Sequence, residues 1–114
     1  MWKVQKMINA NHLKVLQEKF SDLINYKADD PLEAIDPLTY RSPEGDSCLH
    51  TAAIRGDQLA VELLIKAGLD VNLQGDMGNT PLHYAKKFGH DEIASLLVQQ
   101  GASTEIRNDF GKIP

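Results

Sequence analysis

The chain has 114 residues, 42% of them hydrophobic and 25% charged, with 12 Lys and Arg against 16 Asp and Glu for a formal net charge of −4. That length suits one soluble domain. The scattered basic residues argue against nucleic acid as the main partner, because phosphate binding needs clustered Lys and Arg. A single cysteine, Cys48, excludes an intrachain disulfide and fits a reducing compartment. The opening residues, MWKVQKMINANHLKV, lack the apolar core and cleavage site of a secretory leader. No run of about 18 apolar residues is present to span a membrane. The expected address is therefore cytoplasmic.

Residues 9–27 read as one amphipathic helix, with Leu13, Leu16, Phe20, Leu23 and Ile24 on one stripe. Asn9 or Asn11 can cap its start. A connection carrying Pro31, Pro37 and Pro43 follows, with a short helix expected near Pro31–Ile35.

From residue 45 the chain changes character. All eight glycines lie at or after Gly45, and seven stand on a lattice of 33 residues: Gly45, Gly78 and Gly111; Gly56 and Gly89; Gly68 and Gly101. Gly75 alone is off it. Leu49 and Leu82, His50 and His83, Ala52 and Ala85, and Leu64 and Leu97 obey the same shift. A fixed period of this size marks a stacked repeat.

Each unit has a physical logic. Thr80 caps a helix that Pro81 opens, Leu82 and Ala85 share its face, and Gly89 ends it. Asp91 leads into a second helix with Ile93, Leu96 and Leu97 on one face, which Gly101 ends. Ser47, Leu49, Ala52, Gly56, Asp57, Val61, Leu63, Leu64 and Gly68 repeat the plan one unit earlier. Residues 69–79, LDVNLQGDMGN, start as a short extended piece and finish in a turn.

The stretch GNTPLHYAKKFGHDEIASLLVQQGAS resembles the ankyrin repeat, whose signature is T-P-L-H-x-A at a 33-residue period. The resemblance covers residues 45–114: units at 45–77 and 78–110 and the start of a third at 111. Departures occur at Ser47-Cys48 for Thr-Pro, at Lys86 for Ala, at Leu59 for an acidic residue, and at Thr104-Glu105 for Val-Asn. The resemblance implies an all-α, ankyrin-repeat helical solenoid with short hairpin loops. Residues 1–44 do not repeat, and form an expected N-terminal helical cap and connector. The physical reason is that one unit cannot bury its own apolar face, so stacks need about three units with atypical ends. The abrupt end at Pro114, inside a helix-start motif, suggests a truncated chain.

The candidate chemistry is thin. His50 and His83 share a lattice position, and a catalytic pair would rarely obey the structural period. The resemblance implies that they brace neighbouring hairpins. No histidine pair has zinc-ligand spacing. Cys48, at a helix start, could be activated by the helix N-terminus, yet no base constellation surrounds it. Asp29, Asp30, Glu33 and Asp36 lack the alternating ligand pattern of a calcium loop. Residues 75–78 lack the Lys-Ser/Thr of a phosphate loop. The expectation is a non-catalytic chain without cofactor or metal, monomeric alone, whose partner is another protein.

The resemblance implies where that partner would sit: on the hairpin tips and the exposed side of the first helix of each unit. By position these are Arg41, Glu44, Asp46, Ile54 and Arg55; then Gln74, Asp76, Met77, Asn79, Lys87 and Phe88; then Arg107, Asp109, Phe110 and Lys112. Met77, Phe88 and Phe110 are the expected anchors, because aromatic and large apolar side chains dominate interfaces. Three roles are compatible with this: a small inhibitor or immunity-like protein masking its partner, a scaffold segment, or a regulatory fragment of a longer enzyme.

Overall fold

The structure, a computed structural model, describes residues 9–30 and 32–114. Its elements are five α-helices, with no strand among the described residues: α1 (Ala10–Lys19), α2 (Cys48–Arg55), α3 (Gln58–Lys66), α4 (Pro81–Lys87) and α5 (Asp91–Gln99). They form two layers. In the inner layer α2 packs on α4; in the outer layer α1 and α5 both pack on α3. Each repeat also closes on itself, α2 against α3 and α4 against α5.

Local chemistry sets these helices. Ser47 and Thr80 cap α2 and α4, and each closes a capping box in which the N3 residue is histidine instead of the usual Glu or Gln. Asp57 caps α3 by accepting from the Ala60 N–H at 3.1 Å. Gly56 ends α2 at φ 73°, a left-handed position, and a Cβ there would lie 2.7 Å from the His90 ring. The core is built from equivalent side chains. Leu49 and Leu82, Leu64 and Leu97, and Ala52 and Ala85 are all fully buried.

The hairpins carry no strands, but their backbone turns keep the period. The N–H groups of Ser42, Gly75 and Asn108 donate to the carbonyls of Asp46, Asn79 and Lys112 at 2.8, 2.8 and 2.9 Å. Only an isolated bridge between Arg41 and Ser47 adds extended pairing. The piece expected to be extended after Gly68 instead turns at Val71-Asn72, and Asp76–Gly78 form a single 3-10 turn.

Two expectations in the N-terminal part are corrected. The helix does not run over residues 9–27; it stops at Lys19, and residues 20–22 turn. Further on, the Asn25 side chain accepts from the Lys27 N–H and donates to the Ala34 carbonyl, holding a local turn. Of the short helix expected near Pro31–Ile35, Pro31 lies outside the described residues and residues 32–35 are non-helical. Ile24 is exposed, off the core. Leu16 and Phe20 are buried in the common core with Ile35, and Leu23, Leu38 and Tyr40 pack around them. Burying side chains of this size contributes about 1.5–3 kcal/mol each.

Candidate partner-binding surface

The hairpins are joined rung by rung. Arg41 donates from Nε to the Gly45 carbonyl at 2.8 Å and from Nη2 to the Gln74 carbonyl at 3.4 Å. Gln74 Nε2 repeats the pattern, to the Gly78 and Arg107 carbonyls at 3.0 Å each. Arg107 Nη1 donates to the Gly111 carbonyl at 2.7 Å. All three lie at the surface, yet their polar ends are committed to the scaffold.

The two buried histidines do similar work. Nδ1 of His50 accepts from the Ser47 N–H at 3.1 Å, and Nδ1 of His83 accepts from the Thr80 N–H at 2.9 Å. An acceptor Nδ1 places the ring proton on Nε2. His50 Nε2 then donates to the Leu73 and Asn79 carbonyls at 2.9 Å each, and His83 Nε2 to the Lys112 carbonyl at 2.8 Å. Burial pushes the His50 imidazole below its ordinary range, against the raising pull of the Asp46 charge. Both histidines thus tie the start of an inner helix to the following hairpin.

Several of the other expected contact residues are also engaged within the chain. The Asp46 carboxylate accepts from the Asp76 N–H at 2.9 Å and from the Tyr84 hydroxyl at 3.2 Å. Burial, and then the Asp46 charge, push the Tyr84 phenol up to about 12. A Cβ on Gly75 would crowd the His50 ring at 3.0 Å and press closer still on the Asp46 carboxylate, so this off-lattice glycine leaves room for the carboxylate to reach the backbone. In the next hairpin the equivalent residue, Asn108, donates its own Nδ2 to Asn79 Oδ1 at 2.9 Å. Arg55 turns towards the N-terminal segment: it donates to the Lys19 carbonyl at 3.0 Å, pairs with Asp22 at 2.6 Å and lies 5.6 Å from the centre of the Phe20 ring. Ile54 is half-buried against the core. Asp109 lies beside Gly78, and its N–H donates to the Met77 carbonyl at 2.9 Å.

Other members of that set gather in one place. Met77, Asn79, Lys87, Phe110 and Lys112 line a single groove between the last hairpin and α4. Met77 and Phe110, at equivalent hairpin tips, are 54% and 66% exposed. Phe88 is exposed outside the groove, with the Lys87 ammonium 5.6 Å from its ring centre. Glu44, at the equivalent tip of the first hairpin, is exposed. Lys86, Tyr84 and Ile113 also line the groove, and the positional mapping missed them. Two carried a signal: Lys86 stands where the repeat prefers Ala, and Ile113 stands on the lattice position of the capping Thr80.

Cys48 is fully buried, and burial pushes its thiol up to about 12 despite the lowering influence of Arg55. A helix N-terminus contributes about 0.3–1 kcal/mol, under one pKa unit, so desolvation dominates here. Among the described residues no three His, Cys, Asp or Glu side chains gather as a metal-holding group. No helix among them is long and apolar enough to cross a membrane.

Paired helices, repeated hairpins and a shared core define a helical repeat solenoid. The family model "Ankyrin repeats (3 copies)" matches residues 7–108. The chain belongs to the ankyrin-repeat family, whose repeats act as protein-interaction modules. The match reaches back over residues 7–44, where the glycine lattice is absent. A 41-residue stretch, 36% of the chain, is 44% identical to part of the ADP-ribosylation factor GTPase-activating protein AGD2 of Arabidopsis thaliana. It covers 5% of that protein's length.

Proposed function

We propose that the chain binds a protein partner across its hairpin tips and the neighbouring end of α4, and that binding masks the partner in the manner of an inhibitor or immunity protein. The supporting observation is the pair of apolar tips, Met77 and Phe110, which are exposed at equivalent positions above one groove. Met77 sits at φ 56°, ψ 25°, the left-handed region that non-glycine residues seldom occupy. A large apolar side chain held there, outward and off the core, suits a contact made with another molecule. Non-catalytic action and a monomeric resting state belong to the same reading.

The immobilised chain should capture a partner from extracts of its source cells. Capture should fall at least tenfold when Met77, Phe88 and Phe110 are all changed to Ala, since anchor losses of this kind cost about 2 kcal/mol or more in sum. Changing Leu59 and Val98, exposed on the outer helices, to Ala should leave capture intact. Equal capture by both variants would remove the hairpin face from consideration. The captured partner's activity, assayed with and without added chain, then tests masking.

A second reading, a scaffold or regulatory segment within a larger protein, draws on the likeness to one small part of AGD2. A transcript encoding further domains in the same frame would favour it.

A further inference from the structure

We propose that the groove between the last hairpin and α4 takes an acidic peptide segment carrying an apolar side chain. The proposal rests on the hairpin-face reading above and names the partner's chemistry at that face.

The groove is a cavity of about 480 Å³. Its charged lining consists of Lys86, Lys87 and Lys112, and no Asp or Glu is among the lining residues. Asp76 and Asp109 stand on the same hairpins but outside that lining. The surroundings make this local sign unusual. The whole chain is acidic at −4, yet three of its 12 basic residues converge on one groove. Both ion pairs among the described residues, Lys19–Asp57 and Arg55–Asp22, lie elsewhere. Among the described residues none of these three lysines forms an ion pair with a carboxylate.

The apolar component sits in the same place. Met77 and Phe110 line the groove from the two hairpin tips, and Ile113, 51% exposed, adds a third apolar wall. An apolar side chain entering between them would remove carbon surface from water on both sides, while carboxylates along the same segment would meet the lysines. A basic segment would meet three like charges. An uncharged apolar one would leave three ammonium groups to be desolvated without compensation. The combination of charge and carbon surface thus selects an acidic, partly apolar segment.

Fluorescence anisotropy with the full chain tests this. The probe is a short fluorescein-labelled peptide of Asp, Glu, Leu and Phe. One control replaces its acidic residues by Lys, and another replaces Leu and Phe by Ser. The acidic, apolar peptide should bind tightest, and its affinity should fall as salt rises from roughly 0.05 to 0.5 M. Changing Lys86, Lys87 and Lys112 to Glu should weaken it about tenfold or more, whereas changing them to Arg should preserve it. Phe110→Ala should weaken it severalfold. Circular dichroism should show these surface variants folded.

Equal or tighter binding of the basic peptide would overturn the proposal, as would indifference to charge reversal. So would a sedimentation result in which the chain self-associates and Phe110→Ala abolishes the association, because a second copy would then fill the groove. If the acidic peptide fails while partner capture still depends on Met77, Phe88 and Phe110, the groove chemistry is wrong and the contact face stands. Capture that survives those alanines sinks the face itself.

Discussion

His50 joins α2 to the hairpin before α4 through a ring whose protonation state is dictated by its neighbours. Its Nδ1 faces the Ser47 N–H, so a proton there would set two donors against each other. Burial lowers its pKa for the same net reason: the charged ring has lost water and gained too little in exchange. The sign of the pH effect follows. As pH falls through about 6.5, the unfolded chain takes up a proton at this residue that the folded chain resists. The unfolded state then binds more protons, so stability declines with falling pH until the folded ring also titrates. Urea unfolding should show a lower midpoint at about pH 5.5 than at pH 7.5. His50→Asn, even if less stable throughout, should show a smaller difference between the two conditions. A variant with the undiminished difference would place the effect on other groups.

At the scale of elements, α1 shows how a helix can be readable in its face and unreadable in its length. Its Leu and Phe spacing correctly marks the buried side, with Leu16 and Phe20 inside the core. Phe20→Ala should destabilise the chain by about 3–5 kcal/mol, since a large cavity would open beneath α1. Thermal unfolding is the measurement, and an unshifted midpoint would mean that α1 contributes nothing to the stack. We propose on this basis that the segment up to residue 44 serves as a cap. Where α1 ends is decided elsewhere. Arg55, 36 residues away, donates to the Lys19 carbonyl and brings a cation to the helix C-terminus, while Asp22 holds the same guanidinium from beyond the helix. No local pattern in residues 9–27 encodes that partner. The repeats were far more legible, because their caps, glycines and leucines act within a few residues and recur at one period. The candidate surface was half legible. Met77, Phe110 and Lys112 follow from position, but the engagement of Asp46 depends on Gly75 in the next hairpin, and that of Arg55 depends on the N-terminal segment.

At the scale of the molecule, the central pair α2 and α3 is the hub. α2 touches α4, and α3 touches both α1 and α5, while α1 and α5 sit at opposite edges of the outer layer. In a stack of this kind each unit is stabilised chiefly by its neighbours, so damage at one edge need not reach the other. Leu97 and Leu64 are equivalent, fully buried outer-helix leucines, one at the edge and one at the hub. Changing either to Ala costs about 2–5 kcal/mol of local packing. The consequences should differ. Leu97→Ala should raise amide exchange in α4, α5 and the last hairpin while α2 and α3 keep most of their protection. Leu64→Ala should raise exchange in every helix together, because both outer-layer interfaces lose the element between them. Hydrogen exchange followed by mass spectrometry resolves the two patterns. Identical, uniform exchange in both variants would show a single cooperative unit, and the groove beside α4 would then be as stable as the hub.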